Sequence, residues 1–187
     1  MTNKQKIFLD MFDPLRDNLW RFCLSMTRNR DLAKDLLQET IAGAYSAFDS
    51  LTHTGAFLSF LFTIASRQYQ KMSLRTNGNV PLDEWDCSSL VSDTVSPETL
   101  TDIALMYRAL DQLPHEQKTA IVLFDLMGYS QLEVTTIQDC SLDALKKRLY
   151  RGRKQLAELL GVNNNILDDI SDDIDLPVHP ILGEVTK

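Results

Sequence analysis

A chain of 187 residues with 44% apolar content has room for one domain or two small ones. No apolar run approaches the length that spans a bilayer, and the N-terminus lacks the long apolar core of a targeting segment. The formal charge of −7 and the pI of about 4.9 argue against a protein that coats nucleic acid by charge alone.

The charge is unevenly placed. Residues 1–76 hold ten Lys and Arg against seven Asp and Glu, and residues 77–97 hold four acids and no base. Residues 98–160 hold eight bases against nine acids, but six of those bases crowd between Lys146 and Lys154. Residues 161–187 hold six acids and one base. Cys23, Cys87 and Cys140 are far apart and lack CxxC spacing, which fits a reducing cytoplasm and neither a disulfide framework nor a zinc site. His53, His115 and His179 are isolated and read as surface or packing residues. No internal repeat is visible.

Residues 5–28 are expected to be helical. Ile7, Phe8, Met11 and Phe12 begin an apolar face that Leu15, Leu19, Trp20, Phe22, Cys23, Leu24 and Met26 continue. Pro14 marks a kink or a new first turn. Asp31 is the expected cap of the next helix, residues 32–48, whose apolar side is Leu32, Ala33, Leu36, Leu37, Ile41, Ala44, Tyr45 and Phe48. Asp35, Gln38 and Glu39 share the other side, and by themselves read as a solvated face. Residues 49–56 read as a loop. A third helix over 57–75 is nearly all apolar at first, as a central bundle helix would be. It ends in Arg67, Gln68, Tyr69, Gln70, Lys71 and Arg75. Amides and Arg read base edges and rings stack on unpaired bases. A helix terminus with cations favoured by the dipole fits the same residues.

Residues 77–97 show no sustained period and read as a flexible linker. Ser96-Pro97-Glu98 opens the next helix with a cap and a first-turn proline. Ile103, Met106, Tyr107, Leu110 and Leu113 carry its stripe to Pro114. Residues 115–127 make another helix, which Gly128 ends. Then come two helices across a tight turn. Ser130 and Glu133 have capping-box spacing, and Val134 and Ile137 give the first of these helices its apolar side. Asp139-Cys140-Ser141 is the turn, and Ser141 caps a second helix with Leu142, Leu145 and Leu149 as its stripe. Its bases are Lys146, Lys147, Arg148, Arg151, Arg153 and Lys154. Short helix, turn and basic helix form a helix-turn-helix, whose second helix enters the major groove.

The order of these parts resembles the extracytoplasmic-function (group 4) sigma factors of the sigma-70 family, over about residues 8–160. Asp35-Leu-Leu-Gln-Glu-Thr40 is similar to the family's D-L-x-Q-E-x core, and Phe57-Leu-Ser-Phe-Leu-Phe-Thr-Ile-Ala65 to its F-R-x-W-L-x-x-I-A helix. Ala109-Leu-Asp-Gln-Leu-Pro114 resembles A-L-x-x-L-P, and Tyr129-Ser-x-x-Glu133 resembles Y-S-x-x-E. Leu145-Lys-Lys-Arg-Leu-Tyr-Arg-Gly-Arg153 resembles V-K-S-R-L-x-R-A-R. The usual Arg and Trp of the third helix are Leu58 and Phe60, the usual Arg-Asn pair is Ser66-Arg67, and the usual turn Gly is Asp139.

The resemblance implies an all-α fold. Two small helical domains, 1–76 and 98–161, would be joined by a flexible acidic linker at 77–97, with an acidic tail at 162–187. It also implies roles. Asp35, Gln38 and Glu39 would dock on the clamp helices of core RNA polymerase. Arg67, Gln68, Gln70, Lys71 and Arg75 would hold the melted −10 strand of promoter DNA. Ser141, Asp143, Ala144, Lys146, Lys147, Arg148 and Arg151 would meet the −35 element. An anti-sigma protein would be a further partner. Chemistry would stay with the polymerase, so no catalytic group, metal, cofactor or small-molecule substrate is expected, and no membrane insertion.

Other readings divide on single features. A sigma-like decoy that occupies an anti-sigma protein without directing transcription is suggested by Leu58, Phe60 and Ser66. An ordinary helix-turn-helix repressor would leave residues 30–75 idle. An enzyme has no visible nucleophile–base pair, phosphate loop or metal spacing. The tail reads as a solubilising segment. Its Ile166, Ile170 and Ile174 also allow a transient helix whose carboxylates compete with DNA for Lys146–Lys154.

Overall fold

The structure, a computed structural model, describes residues 2–51, 53–75 and 96–162. The expected linker up to residue 95, the expected tail beyond Val162, Cys87 and His179 lie outside the described residues. Every regular element among the described residues is helical, and these residues fall into two compact units either side of residue 82.

In the first unit, α1 (Asn3–Phe12) opens on a capping box. Thr2 Oγ1 accepts from the Gln5 amide at 3.3 Å while the Gln5 side chain accepts from the Thr2 amide at 2.8 Å. The helical stretch expected over 5–28 divides at Pro14, the expected site of a kink or a new first turn. Pro14 sits in a 3-10 turn, Asp13–Leu15, and α2 (Arg16–Thr27) starts afresh. Proline has no N–H for the helical ladder and its ring crowds the preceding turn, so it serves as a first-turn residue.

Arg28 takes a left-handed conformation with φ 52° and ends α2. The next helix, α3 (Arg30–Ser46), is capped by Asn29 and not by Asp31. The Asn29 carboxamide oxygen accepts from the amides of Asp31 at 2.9 Å and Leu32 at 3.0 Å. Asp31 lies instead in the first turn, where its charge favours the helix dipole. The loop before the last helix contains two 3-10 turns, Phe48–Ser50 and Thr54–Ala56.

The helix α4 (Phe57–Arg75) buries Phe57, Leu61, Phe62 and Ala65 against α2 and α3. It is not enclosed all round as expected, because Leu58, Phe60 and Ile64 are only half-buried. A Cβ added at Gly43 would stand 3.3 Å from Ile64 Cγ2, which marks the close approach of α3 and α4. Phe8 meets Tyr45, Phe48 and Phe57 edge-on at 5.4, 5.2 and 5.6 Å, the geometry that suits the ring quadrupoles.

In the second unit, Ser96 accepts from the Thr99 amide at 3.3 Å and Pro97 opens α5 (Pro97–Leu110). Ile103, Tyr107 and Leu110 are its buried stripe, and Leu113 is buried just past its end. The helix α6 (His115–Ile121) runs into a π-helical turn, Val122–Leu126, that sequence periodicity does not disclose. Gly128 then turns the chain with φ 74°. Two helices follow, α7 (Gln131–Gln138) and α8 (Leu142–Leu160), and α8 packs on α5, α6 and α7. Its buried stripe is Leu145, Leu149, Gly152, Arg153 and Ala157. Leu142, expected to belong to that stripe, is 49% exposed because it stands one turn ahead of the contact.

Candidate nucleic-acid interface

The helix-turn-helix forms from its local signals. The Ser130 hydroxyl accepts from the Glu133 amide at 3.3 Å, and the Glu133 carboxylate accepts from the Ser130 amide at 2.9 Å. Asp139, standing where glycine is usual, adopts the left-handed conformation with φ 47°. A short polar residue tolerates that region better than most. Ser141 then accepts from the Ala144 amide at 3.2 Å and starts α8.

With 3.6 residues per turn, one face of α8 presents Asp143, Lys147, Tyr150, Arg151 and Lys154, all exposed. Lys147 donates to Asp143 at 2.7 Å across one turn, an exposed pair that contributes little to stability. Ser141 is exposed at the N-terminal end, and Ala144 and Lys146 are half-buried at the margins of that face. Tyr150 was not among the expected contacts. Its 37% exposure beside Lys147 and Arg151 places an amphipathic ring on the same face, and the helical spacing from Lys147 could have revealed it.

Two of the six bases do not join this face. Arg148 turns toward α6 and α7, donating to the Gln138 carboxamide oxygen at 2.8 Å and pairing with Glu116 at 3.0 Å. Arg153 is buried with Asp125. Its Nε donates to one carboxylate oxygen at 3.0 Å and its Nη2 to the other, and its guanidinium lies 5.7 Å from the Phe124 ring centre. A second buried cation, Lys118, donates to Asp111 at 2.7 Å. Burial, and then Lys118, pull the His115 pKa down to about 4. Burial raises the thiol of Cys140 at the turn, and pushes that of Cys23 up to about 12.

In the first unit, Arg67, Gln70, Lys71 and Arg75 are exposed along the last turns of α4, and Gln68 is half-buried against α3 near Gly43. Asp35, Gln38 and Glu39 are all exposed on α3. Beside them lies an apolar cleft of about 470 Å³ lined by Gln5, Phe8, Leu9, Gln38, Ile41 and Tyr45. That neighbour of the polar trio was not anticipated. It arises because α1 packs through Phe8 and Phe12 and leaves Leu9 38% exposed. Among the described residues, no group of three or more His, Cys, Asp or Glu could hold a metal ion. No helix among them is long and apolar enough to cross a membrane.

The family model for sigma-70 region 2 matches residues 11–78, and that for sigma-70 region 4 matches residues 103–156. The chain belongs to the sigma-70 family. Its sigma-70 relatives include the ECF RNA polymerase sigma factor EcfG of Rhodopseudomonas palustris, 26% identical over 83% of this chain and 90% of the relative. SigM of Bacillus subtilis, also an ECF RNA polymerase sigma factor, is 28% identical over 83% of this chain and 97% of its own length. Among solved structures, the sigma factor RpoE of Bartonella quintana, in complex with the anti-sigma factor NepR, is 27% identical. It superposes with a TM-score of 0.65 over 84% of this chain and 99% of that one. These relatives place the chain in the extracytoplasmic-function group. CnrH, solved with the cytosolic domain of CnrY, shares the fold at 22% identity and a TM-score of 0.61, over 84% of this chain and 89% of that one.

Proposed function

We propose that this sigma factor binds core RNA polymerase through Asp35, Gln38 and Glu39 and directs promoter-specific initiation with two DNA-binding faces. Arg67, Gln68, Gln70, Lys71 and Arg75 hold the melted −10 strand. Ser141, Asp143, Ala144, Lys146, Lys147 and Arg151 meet the −35 element. The reading is carried by one observation: each set clusters along a single helix with its members exposed, apart from the half-buried Gln68, Ala144 and Lys146, and none of the sets is consumed by core packing. Bases on one helix face suit phosphate, while amides and Arg on a helix end suit base edges.

The units would correspond to residues 1–76 and 98–161, joined through 77–97. The protein would work in the cytoplasm, and bond-making would remain with the polymerase. An anti-sigma protein is a natural partner, supported by the complex in which the RpoE relative was solved. It would cover the trio on α3.

Reconstitution tests this. Core polymerase plus the full chain should give a transcript with a defined start on a promoter library, and core polymerase alone should not. A chain that binds an anti-sigma protein yet yields no transcript would be the decoy, and the proposal would fall.

A further inference from the structure

We infer that Arg148 is a positioning residue, and that with Glu116 and Gln138 it sets the angle at which α8 meets DNA. The inference rests on the reading of α8 as the DNA-facing helix. Three bonds close a ring among three helices. Arg148 Nη1 donates to Gln138 Oε1 at 2.8 Å, Arg148 Nη2 pairs with Glu116 Oε2 at 3.0 Å, and Gln138 Nε2 donates to the Glu116 backbone carbonyl at 2.9 Å. The ring joins the first turn of α6, the last residue of α7 and the second turn of α8.

The placement argues against a phosphate contact. Arg148 follows Leu145 by three residues and precedes Gly152 by four, so it flanks the buried stripe. Its side chain is 21% exposed, against 64% for Lys147 on the outer face. Glu116 already supplies the carboxylate that a guanidinium would otherwise exchange for phosphate.

Geometry gives the ring its consequence. Arg148 lies seven residues beyond the Ser141 cap, about 10 Å along the axis at 1.5 Å per residue. A tilt of about 10° pivoting on the turn moves a side chain at that distance by roughly 2 Å, which takes it out of the 2.7–3.2 Å hydrogen-bonding window. Base-edge contacts are lost first under such a tilt. Phosphate contacts by flexible lysines adapt. The ring therefore controls sequence preference through residues that touch no base.

Holoenzyme built from the full chain and core polymerase, on a promoter library randomised over the −35 region, separates the roles. Lys147→Ala should lower the salt slope of binding by about one. Arg148→Ala should leave the slope unchanged and flatten the sequence preference about tenfold. Arg148→Lys keeps the charge but loses the planar fork that bridges two acceptors, so it should flatten preference too. The swap Glu116→Arg with Arg148→Glu should recover preference relative to Arg148→Glu alone.

A slope that drops by about one in Arg148→Ala overturns the inference, as does full preference in Arg148→Lys or a swap no better than the single change. If Arg148→Ala fails to fold, the lysine variant and the swap still decide. An unchanged slope in Lys147→Ala would instead overturn the proposed −35 face itself.

Discussion

Removing the carboxylate of Asp125 should cost the second unit a large share of its stability. Asp125 and Arg153 are each only 8% exposed at the side chain, and the guanidinium uses two nitrogens on one carboxylate. In Asp125→Ala the cation keeps its place against Phe124 but loses its counter-charge and two acceptors. Breaking a buried pair from one side costs about 3–5 kcal/mol. A unit of this size has roughly 0.05–0.15 kcal/mol per residue to lose, so over residues 96–162 the whole stability is on the order of 3–10 kcal/mol.

At about 4–8 °C per kcal/mol for a domain this small, the melting transition should fall by at least about 12 °C. Scanning calorimetry of the full chain reads this directly, because the first unit supplies its own transition as an internal reference. The double variant Asp125→Leu with Arg153→Met replaces the pair by apolar groups of similar length. It should melt within a few degrees of the parent, since a buried pair is often no better than the packing that replaces it. A shift below about 3 °C in Asp125→Ala would mean that water reaches the guanidinium and that the pair is not desolvated as the geometry implies.

Asp35→Ala with Gln38→Ala should leave the fold within about 0.5 kcal/mol of the parent, as exposed residues do. It should weaken core polymerase by about 2 kcal/mol or more in a binding titration. Lys71→Ala and Arg75→Ala should each reduce the salt slope for single-stranded DNA by about 0.7 when holoenzyme is titrated with the melted strand. The depressed pKa of His115 gives a pH signature. The unfolded histidine takes up a proton near 6.5 and the folded one only near 4, so stability is whole above pH 6.5 and declines as pH falls toward 4. The loss is at most about 3 kcal/mol, and His115→Gln should flatten it in thermal melts between pH 7.5 and 5.

Local signals were the most legible part of the sequence. The Ser130–Glu133 capping box, the Ser96 and Ser141 caps and the stripe through Ile103, Tyr107 and Leu110 all stand where spacing placed them. They depend on atoms within one turn, which a sequence states directly. Asn29 displaced Asp31 as a cap because both are good caps and the choice depends on where the preceding left-handed residue, Arg28, delivers the chain. The π-helical turn at Val122–Leu126 was hidden for a different reason. Its packing residues are apolar at any helical pitch, and the added residue aims Asp125 at a partner 28 positions away.

The same non-local pairing decides what the basic helix is. Composition counts six positive charges between Lys146 and Lys154 as one footprint. The fold divides them. Arg153 is neutralised inside the unit by Asp125, and Arg148 is tied at its edge by Glu116 and Gln138. Lys147, Arg151 and Lys154 remain fully on the outer face, with Lys146 at its margin. The two bases that face inward are both arginines, whose guanidinium bridges two acceptors at once as a lysine ammonium does poorly. On the proposed reading, charge on the outer face would draw DNA of any sequence, whereas Arg148, turned toward Glu116 and Gln138, would fix the angle at which that face is presented. A helix with all six bases outward would bind more tightly and discriminate less, because non-specific affinity rises with every phosphate neutralised.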